Sequence, residues 1–196
     1  MEKAIAATLH HQAAQGPQVR QSPRIGNPNV FALCAFGFSL LLLGVELTFA
    51  HAAAGGALYG VLFAGALEFV AGMWLLARGE SYLSSIVTLF GGWLLGYFFY
   101  MTHGKGLGVF NAAGAAAYIL ALLPPIAFLA IPAFKWRRGV LSLAFVALFL
   151  LVLALGLSVM LGSEQLRYAA GVMAFASMFF IWWLAIRNVL ELLHEH

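Results

Sequence analysis

The sequence predicts an all-α membrane protein, built as a bundle of six transmembrane helices. Apolar residues make up 63% of the 196 residues and charged residues only 9%, whereas soluble domains are about 45–50% apolar and about 25% charged. The apolar residues form six long runs, at 29–50, 57–77, 82–101, 109–134, 140–161 and 168–190. Each run has about the 20 residues that a helix needs to cross a bilayer, and the short linkers predict one compact bundle.

The uneven distribution of lysine and arginine predicts how the bundle is oriented. One side of the membrane would hold Lys3, Arg20, Arg24, Arg78, Lys135, Arg137, Arg138 and Arg187, and the other only Lys105 and Arg167. Cytoplasmic loops carry the excess of positive charge. We therefore expect a multi-pass protein of the cell membrane with both termini in the cytoplasm.

Residues 1–26 differ in composition from the rest of the chain. They are polar and lack the short apolar core of a cleavable signal peptide. We expect them to form a flexible cytoplasmic tail, with residues 27–196 as the transmembrane domain. His10 and His11 in this tail, and the "HEH" cluster at 194–196, are expected to be solvent-exposed and inert.

The residue types argue against several classes of function. The sequence shows no nucleophile–base pair, no metal-spaced set of histidines and cysteines and no phosphate-binding loop, so we expect neither an enzyme nor a cofactor. The net charge of +3 is too small and too scattered to indicate nucleic acid. The single cysteine, Cys34, cannot form an intramolecular disulfide.

One carboxylate, Glu68, lies near the middle of the second apolar run. A charge there costs about 2.5–3.5 kcal/mol on insertion scales, and burial disfavours the charged form, so we expect Glu68 to be largely neutral. Two interpretations remain open. Glu68 is either a protonated residue that hydrogen-bonds between helices, or a residue that meets pore water and titrates as solute passes.

Polar residues at helical spacing in two other runs predict a solute path. In the third run the stripe consists of Ser81, Ser84, Ser85, Thr88 and Gly92. In the first run one arc holds Asn29, Phe36, Ser39, Leu43 and Glu46. A single hydroxyl can be satisfied by a carbonyl of its own helix, but a stripe of hydroxyls beside a central carboxylate favours a path between these faces.

Proline marks two further places in the chain. Asn27 and Pro28 stand before the first run, where asparagine can cap a helix and proline can begin one. The fourth run contains Pro124, Pro125 and Pro132. Proline removes a backbone donor, so we expect this run to be kinked.

Two stretches resemble the motifs of a known family. They are "GNPNVFALCAFGFSLLLL" (residues 26–43) and "YGVLFAGALEFVAGMWLLARGESYLSSIVTLFGGWLLGYFFY" (residues 59–100). The first is similar to the Asn-Pro motif that opens the acetate uptake transporter family, the YaaH/SatP-type membrane proteins. The second resembles that family's successive blocks G-G-x-x-Q-x-x-A-G-x-W-E, R-G-N-T-F and S-x-G-x-F-W.

The resemblance implies a homohexamer of six-helix protomers, each with its own pore for small carboxylates. It implies a constriction formed by Phe36, Phe90 and an aliphatic residue of the fifth span near Val146 or Leu148. This chain departs from the family pattern at Phe90, where tyrosine is usual. It also has Glu68 in place of a neutral amide, and Glu46 at an end of the first helix that is usually rich in amides.

Together these features predict a channel or proton-coupled transporter (a symporter) for acetate or similar small monocarboxylates. The residues expected along the path are Asn27, Pro28, Phe36, Ser39, Glu46, Glu68, Ser85, Thr88 and Phe90. No lysine or arginine lies well inside a run, so the solute would pass as a neutral acid, or as an anion held by hydroxyls, amides and the helix N-terminus at Asn27 and Pro28. The alternatives are a channel for small neutral solutes (ammonia, urea, protonated acids) and a non-transporting scaffold or sensor of the same fold.

Overall fold

The described part of the chain is a bundle of helices. The computed structural model describes residues 28–194, with side chains through residue 191. The helices are α1 (Asn29–Thr48), α2 (Ala54–Ala77), α3 (Ser81–His103), α4 (Ala112–Leu120), α5 (Leu123–Lys135), α6 (Gly139–Leu161) and α7 (Glu164–His194), with a 3₁₀ turn at His51–Ala53 before α2. No strand occurs within residues 28–194. The predicted tail at 1–26, with His10, His11 and Asn27, and the last two residues of the "HEH" cluster lie outside this range.

The six predicted spans are confirmed, because six helical segments are long and apolar enough to cross a membrane. Two of them start several residues earlier than predicted. The second begins with the 3₁₀ turn, and the last begins at Glu164 rather than at 168. An ion pair between Glu164 and Arg167, three residues apart, supports a polar first turn there. The apolar pattern alone does not include such a turn.

The fourth span is divided into two helices, whereas its prolines predict a single kinked helix. α4 ends at Leu120 and α5 begins at Leu123. Pro124 and Pro125 follow directly in the first turn of α5, where the missing N–H groups have no partner in a helix anyway. Pro132 lies inside α5.

The helices form a closed ring. α3 packs on α2, α2 on α1, α1 on α7, α7 on α6, and α6 on both α4 and α5. Side chains complete the ring between α3 and the α4–α5 pair. Trp93 Nε1 donates to the Tyr118 carbonyl at 3.2 Å and Tyr118 Oη donates back to the Trp93 carbonyl at 2.9 Å. Tyr82 Oη donates to the Leu129 carbonyl at 2.6 Å.

Glycine lets the backbones of α2 and α3 come into contact. A Cβ at Gly91 would lie 2.5 Å from the Phe69 backbone nitrogen, and a Cβ at Gly72 would lie 2.7 Å from the Thr88 backbone nitrogen. Helices in lipid associate through such small residues, because lipid tails provide no hydrophobic force between helices. The absence of side chains at Gly91 and Gly72 therefore specifies the contact between α2 and α3.

Replacing Gly91 by alanine should destabilise the protein, because the added Cβ meets the α2 backbone, which cannot yield without a shift of the whole helix. We expect a loss of about 1–3 kcal/mol, measured as a lower midpoint of thermal unfolding in detergent. Gly92→Ala is the matched control, since the nearest atom to its Cβ would be 4.0 Å away. Equal effects of the two substitutions would contradict this account of α2–α3 packing.

Candidate solute path

A narrow cavity of about 40 Å³ lies inside the bundle. Its walls come from α1, α2, α3, α6 and the junction between α4 and α5. The lining residues are Phe36, Ser39, Leu40, Leu43, Val61, Phe90, Trp93, Leu94, Leu122, Leu148, Leu151, Val152 and Leu155. Ser39 supplies the only hydroxyl in this lining. That hydroxyl donates to the Phe36 carbonyl at 2.8 Å, so its lone pairs remain available to accept a hydrogen bond.

Two aromatic rings in the lining of the cavity stack against each other. Phe36 of α1 and Phe90 of α3 stack with their ring centroids 5.7 Å apart and their planes at 22°. Both side chains are buried. The structure therefore brings together the two aromatic residues that the resemblance assigns to a constriction.

The α6 residue at this cavity is Leu148. Its side chain is buried and lines the wall, whereas Val146, the other candidate position, is 42% exposed on the outside of the bundle. Leu151 and Leu155 continue the wall along the same face of α6, at the three- to four-residue spacing of one helical face. α6 is apolar on every side, so the sequence offers no contrast that would mark this face.

The hydroxyl stripe of α3 does not line the cavity, because Ser84 and Thr88 face α2 and Ser85 is exposed. Ser84 Oγ donates to the Gly72 carbonyl at 2.8 Å, and Thr88 lies against Gly72. Ser85 is exposed and donates to the Ser81 carbonyl of its own helix at 2.8 Å. The structure thus separates Ser85 and Thr88 from Phe36, Ser39 and Phe90, and the lining includes neither of the former.

Glu68 is enclosed between α2 and α3. Its side chain is 2% exposed, and its Cβ would lie 2.9 Å from a Cβ placed on Gly91, the residue after Phe90. Its Oε1 is buried and has no hydrogen-bond partner among the described residues. Glu68 therefore belongs to the contact between α2 and α3 and is not among the residues that line the cavity.

The other predicted path residues lie nearer to the two ends of the bundle. Pro28 is fully buried just before α1. Glu46 is half-buried in the last turn of α1, and Arg167 and His51 are close enough to its carboxyl to interact with it electrostatically.

Trp93, which motif comparison did not single out, lines the cavity three residues after Phe90, and this spacing on one helical face could have indicated it.

Comparison with known proteins places this bundle in a family. The bacterial acetate channel SatP, a solved structure, matches with a TM-score of 0.76 and 21% sequence identity, over 85% of this chain and 93% of that channel's chain. At this identity the likeness is one of fold. No curated protein sequence matches the chain. The model of the GPR1/FUN34/yaaH family matches residues 10–192, which confirms the resemblance seen in the motifs, and the chain belongs to this family.

Proposed function

We propose that the protein passes acetate or a similar small monocarboxylate across the membrane, as a channel or as a proton-coupled transporter. The observation behind the proposal is the internal cavity in whose lining Phe36 and Phe90 stack. Its walls include Leu148, so all three residue types that the family resemblance assigns to a constriction meet at one place. The solved acetate channel of the same fold supports the choice of solute.

The lining favours passage of the solute as an undissociated acid. Apart from Ser39 and the indole of Trp93 the walls are hydrocarbon, and a bare carboxylate in such surroundings would lose its hydration without gaining a partner. A protonated acid can pack its alkyl group against the rings and donate its hydroxyl to Ser39. Each acid that passes in this form carries one proton with one carboxylate, so the net effect equals proton-coupled transport.

The described conformation is the closed state of the proposed path. A cavity of about 40 Å³ has room for only a few water molecules, since one water molecule needs roughly 10–15 Å³ of cavity volume. Phe36 and Phe90 must separate for a solute to pass. The same apolar walls also suit small neutral solutes such as urea or ammonia, which makes a neutral-solute channel the second candidate.

Flux measurements in liposomes test the proposal. The purified protein should increase the uptake of labelled acetate over protein-free vesicles, and the increase should exceed any increase for urea or ammonia. Ser39→Ala should lower acetate flux about two- to tenfold, the effect of one hydrogen bond of about 0.5–1.5 kcal/mol. Ser177→Ala is the matched control, because Ser177 is equally buried and donates to its own helix at 2.8 Å, but lies outside the cavity lining.

Other outcomes of this measurement select the other functions. Flux of urea or ammonia without acetate would make the protein a neutral-solute channel. No flux of any solute from a correctly assembled protein would favour the scaffold or sensor. Equal losses in the two serine variants would remove Ser39 from the path.

Glu68→Gln distinguishes the two roles of the enclosed carboxyl. Glutamine keeps the shape of the neutral acid, so we expect the variant to assemble and transport. Because Glu68 is enclosed between α2 and α3 and is not among the residues that line the cavity, its position favours the packing role. The dependence of flux on pH, measured at a fixed concentration of undissociated acid, should match that of the wild type. A flatter profile, with flux retained at higher pH, would contradict this expectation and assign Glu68 a titrating role in the pore.

A further inference from the structure

A compact group of charged side chains lies at the end of the bundle that is remote from the described termini. It consists of His51 in the 3₁₀ turn, Glu164 and Arg167 in the first turn of α7, and Glu46 in the last turn of α1. We call it the distal cluster. His51 and Arg167 are 116 positions apart in the sequence, and the packing of the α1–α2 connection against α7 brings them together.

Arg167 is at the centre of the distal cluster. Its Nε and Nη2 donate to Glu164 Oε2 at 3.0 and 2.6 Å, and both of its terminal nitrogens contact the His51 ring. The His51 Nδ1 in turn lies 3.3 Å from the Glu46 carbonyl oxygen. These contacts hold the guanidinium in a fixed orientation.

The two partners of this ion pair, Arg167 and Glu164, differ in how far their side chains are exposed to solvent. The Arg167 side chain is only 23% exposed, whereas the Glu164 side chain is 78% exposed. An exposed carboxylate contributes little to such an ion pair, about 0–1 kcal/mol. A carboxylate from solution can therefore replace Glu164 at little cost, and the planar guanidinium offers it two parallel donors.

The distal cluster continues the α1 face that lines the cavity. Ser39 and Leu43 line the cavity, and Glu46 lies on the same face seven residues after Ser39, about 10 Å along the helix. Tyr97 provides a second connection, since its ring stacks on Trp93 of the cavity wall at 5.5 Å and it interacts electrostatically with Glu46. The cluster thus lies over one end of the proposed path.

We propose that the distal cluster is a capture site for the carboxylate group of the solute, with Arg167 as its ligand and Glu164 as the internal carboxylate that the solute displaces. The site would gather carboxylate anions at the mouth, before the acid enters the apolar cavity. This inference rests on the proposed function, because it takes a monocarboxylate as the solute. It differs from the constriction in using charge, which the cavity lining lacks.

The dependence of acetate flux on acetate concentration tests the site. Arg167→Gln should raise the half-saturating concentration about fivefold, equivalent to roughly 1 kcal/mol for one partly exposed ion pair, with little change in maximal flux. Glu164→Gln should lower it about two- to threefold, because the competing carboxylate is gone. An unchanged half-saturating concentration in Arg167→Gln would overturn the proposal and leave the cluster as a clamp between α1 and α7.

Matched controls separate a specific site from general surface charge. Lys105→Gln removes the other cation assigned to this side, which lies over the Phe110 ring at 5.3 Å. Glu191→Gln breaks an ion pair of 3.6 Å with Arg187 at the opposite end. Both should leave the half-saturating concentration unchanged. A shift in Lys105→Gln equal to that in Arg167→Gln would overturn the proposal.

Direct binding distinguishes failure of the site from failure of the proposed function. Line broadening of ¹³C-labelled acetate in the presence of the purified protein should be strong for the wild type and weaker for Arg167→Gln. It should be intermediate for Arg167→Lys, which keeps the positive charge but lacks the two parallel donors of the guanidinium. Binding that needs Arg167, with no wild-type flux, would retain the site and refute transport. Equal binding by wild type and Arg167→Gln, with normal wild-type flux, would refute the site and retain transport.

Discussion

The close approach of α2 and α3 is the constraint on which the rest of the structure depends. Gly91 and Gly72 remove the side chains that would hold these backbones apart. Phe90 directly precedes Gly91, so the same contact fixes where the Phe90 ring meets Phe36 of α1. It also encloses Glu68 between the two helices. One contact between small residues thus determines both the contact of the two aromatic rings and the surroundings of the buried carboxyl.

The charged groups of the distal cluster lie apart from the narrow part of the proposed path. The cavity walls are almost entirely apolar, with Ser39 as the hydroxyl among them. Charged groups lie at the mouth instead, where Arg167 and Glu164 remain in contact with solvent. This arrangement suits a solute that is recognised as an anion in water and crosses the hydrocarbon region as a neutral acid, because desolvation penalises the charged form far more than the neutral one.

Much of the fold could be predicted from the sequence, because apolar length and proline have direct consequences in a membrane. Six runs of sufficient length gave six spans, and Pro124 and Pro125 predicted a kink where the structure divides the span into α4 and α5. Family motifs identified Phe36 and Phe90, which the structure stacks together. The hexamer and the cytoplasmic position of the termini stay predictions.

The parts of the candidate path that the sequence does not predict depend on which neighbouring helix each helical face contacts. The periodicity of a sequence does not contain that information. By their spacing the hydroxyls of α3 share one helical face, but Ser84 and Thr88 pack on α2 at Gly72 and Ser85 is exposed, so none of them lines the cavity. The wall formed by α6 belongs to a helix that is apolar apart from Ser142 and Ser158, so the sequence pattern does not mark it. His51 and Arg167 are unremarkable in the sequence, since only the packing of the α1–α2 connection against α7 joins them.

If solute passes where Phe36 and Phe90 meet, a double-mutant cycle on these two residues will show it. The measured quantity is the ratio of butyrate flux to acetate flux in liposomes, for Phe36→Ala, Phe90→Ala and the double variant. Phe38→Ala serves as control, since this ring is 41% exposed and outside the cavity lining. Loss of a buried phenylalanine costs about 3–5 kcal/mol in soluble cores, so assembly is verified for each variant.

Phe36→Ala and Phe90→Ala should each raise the ratio of butyrate flux to acetate flux. The double variant should raise this ratio little further, because removing one ring already opens the pair. Phe38→Ala should leave the ratio unchanged. Ratios that match the wild type in all assembled variants, or effects of the two substitutions that simply add, would contradict a path through the Phe36–Phe90 contact.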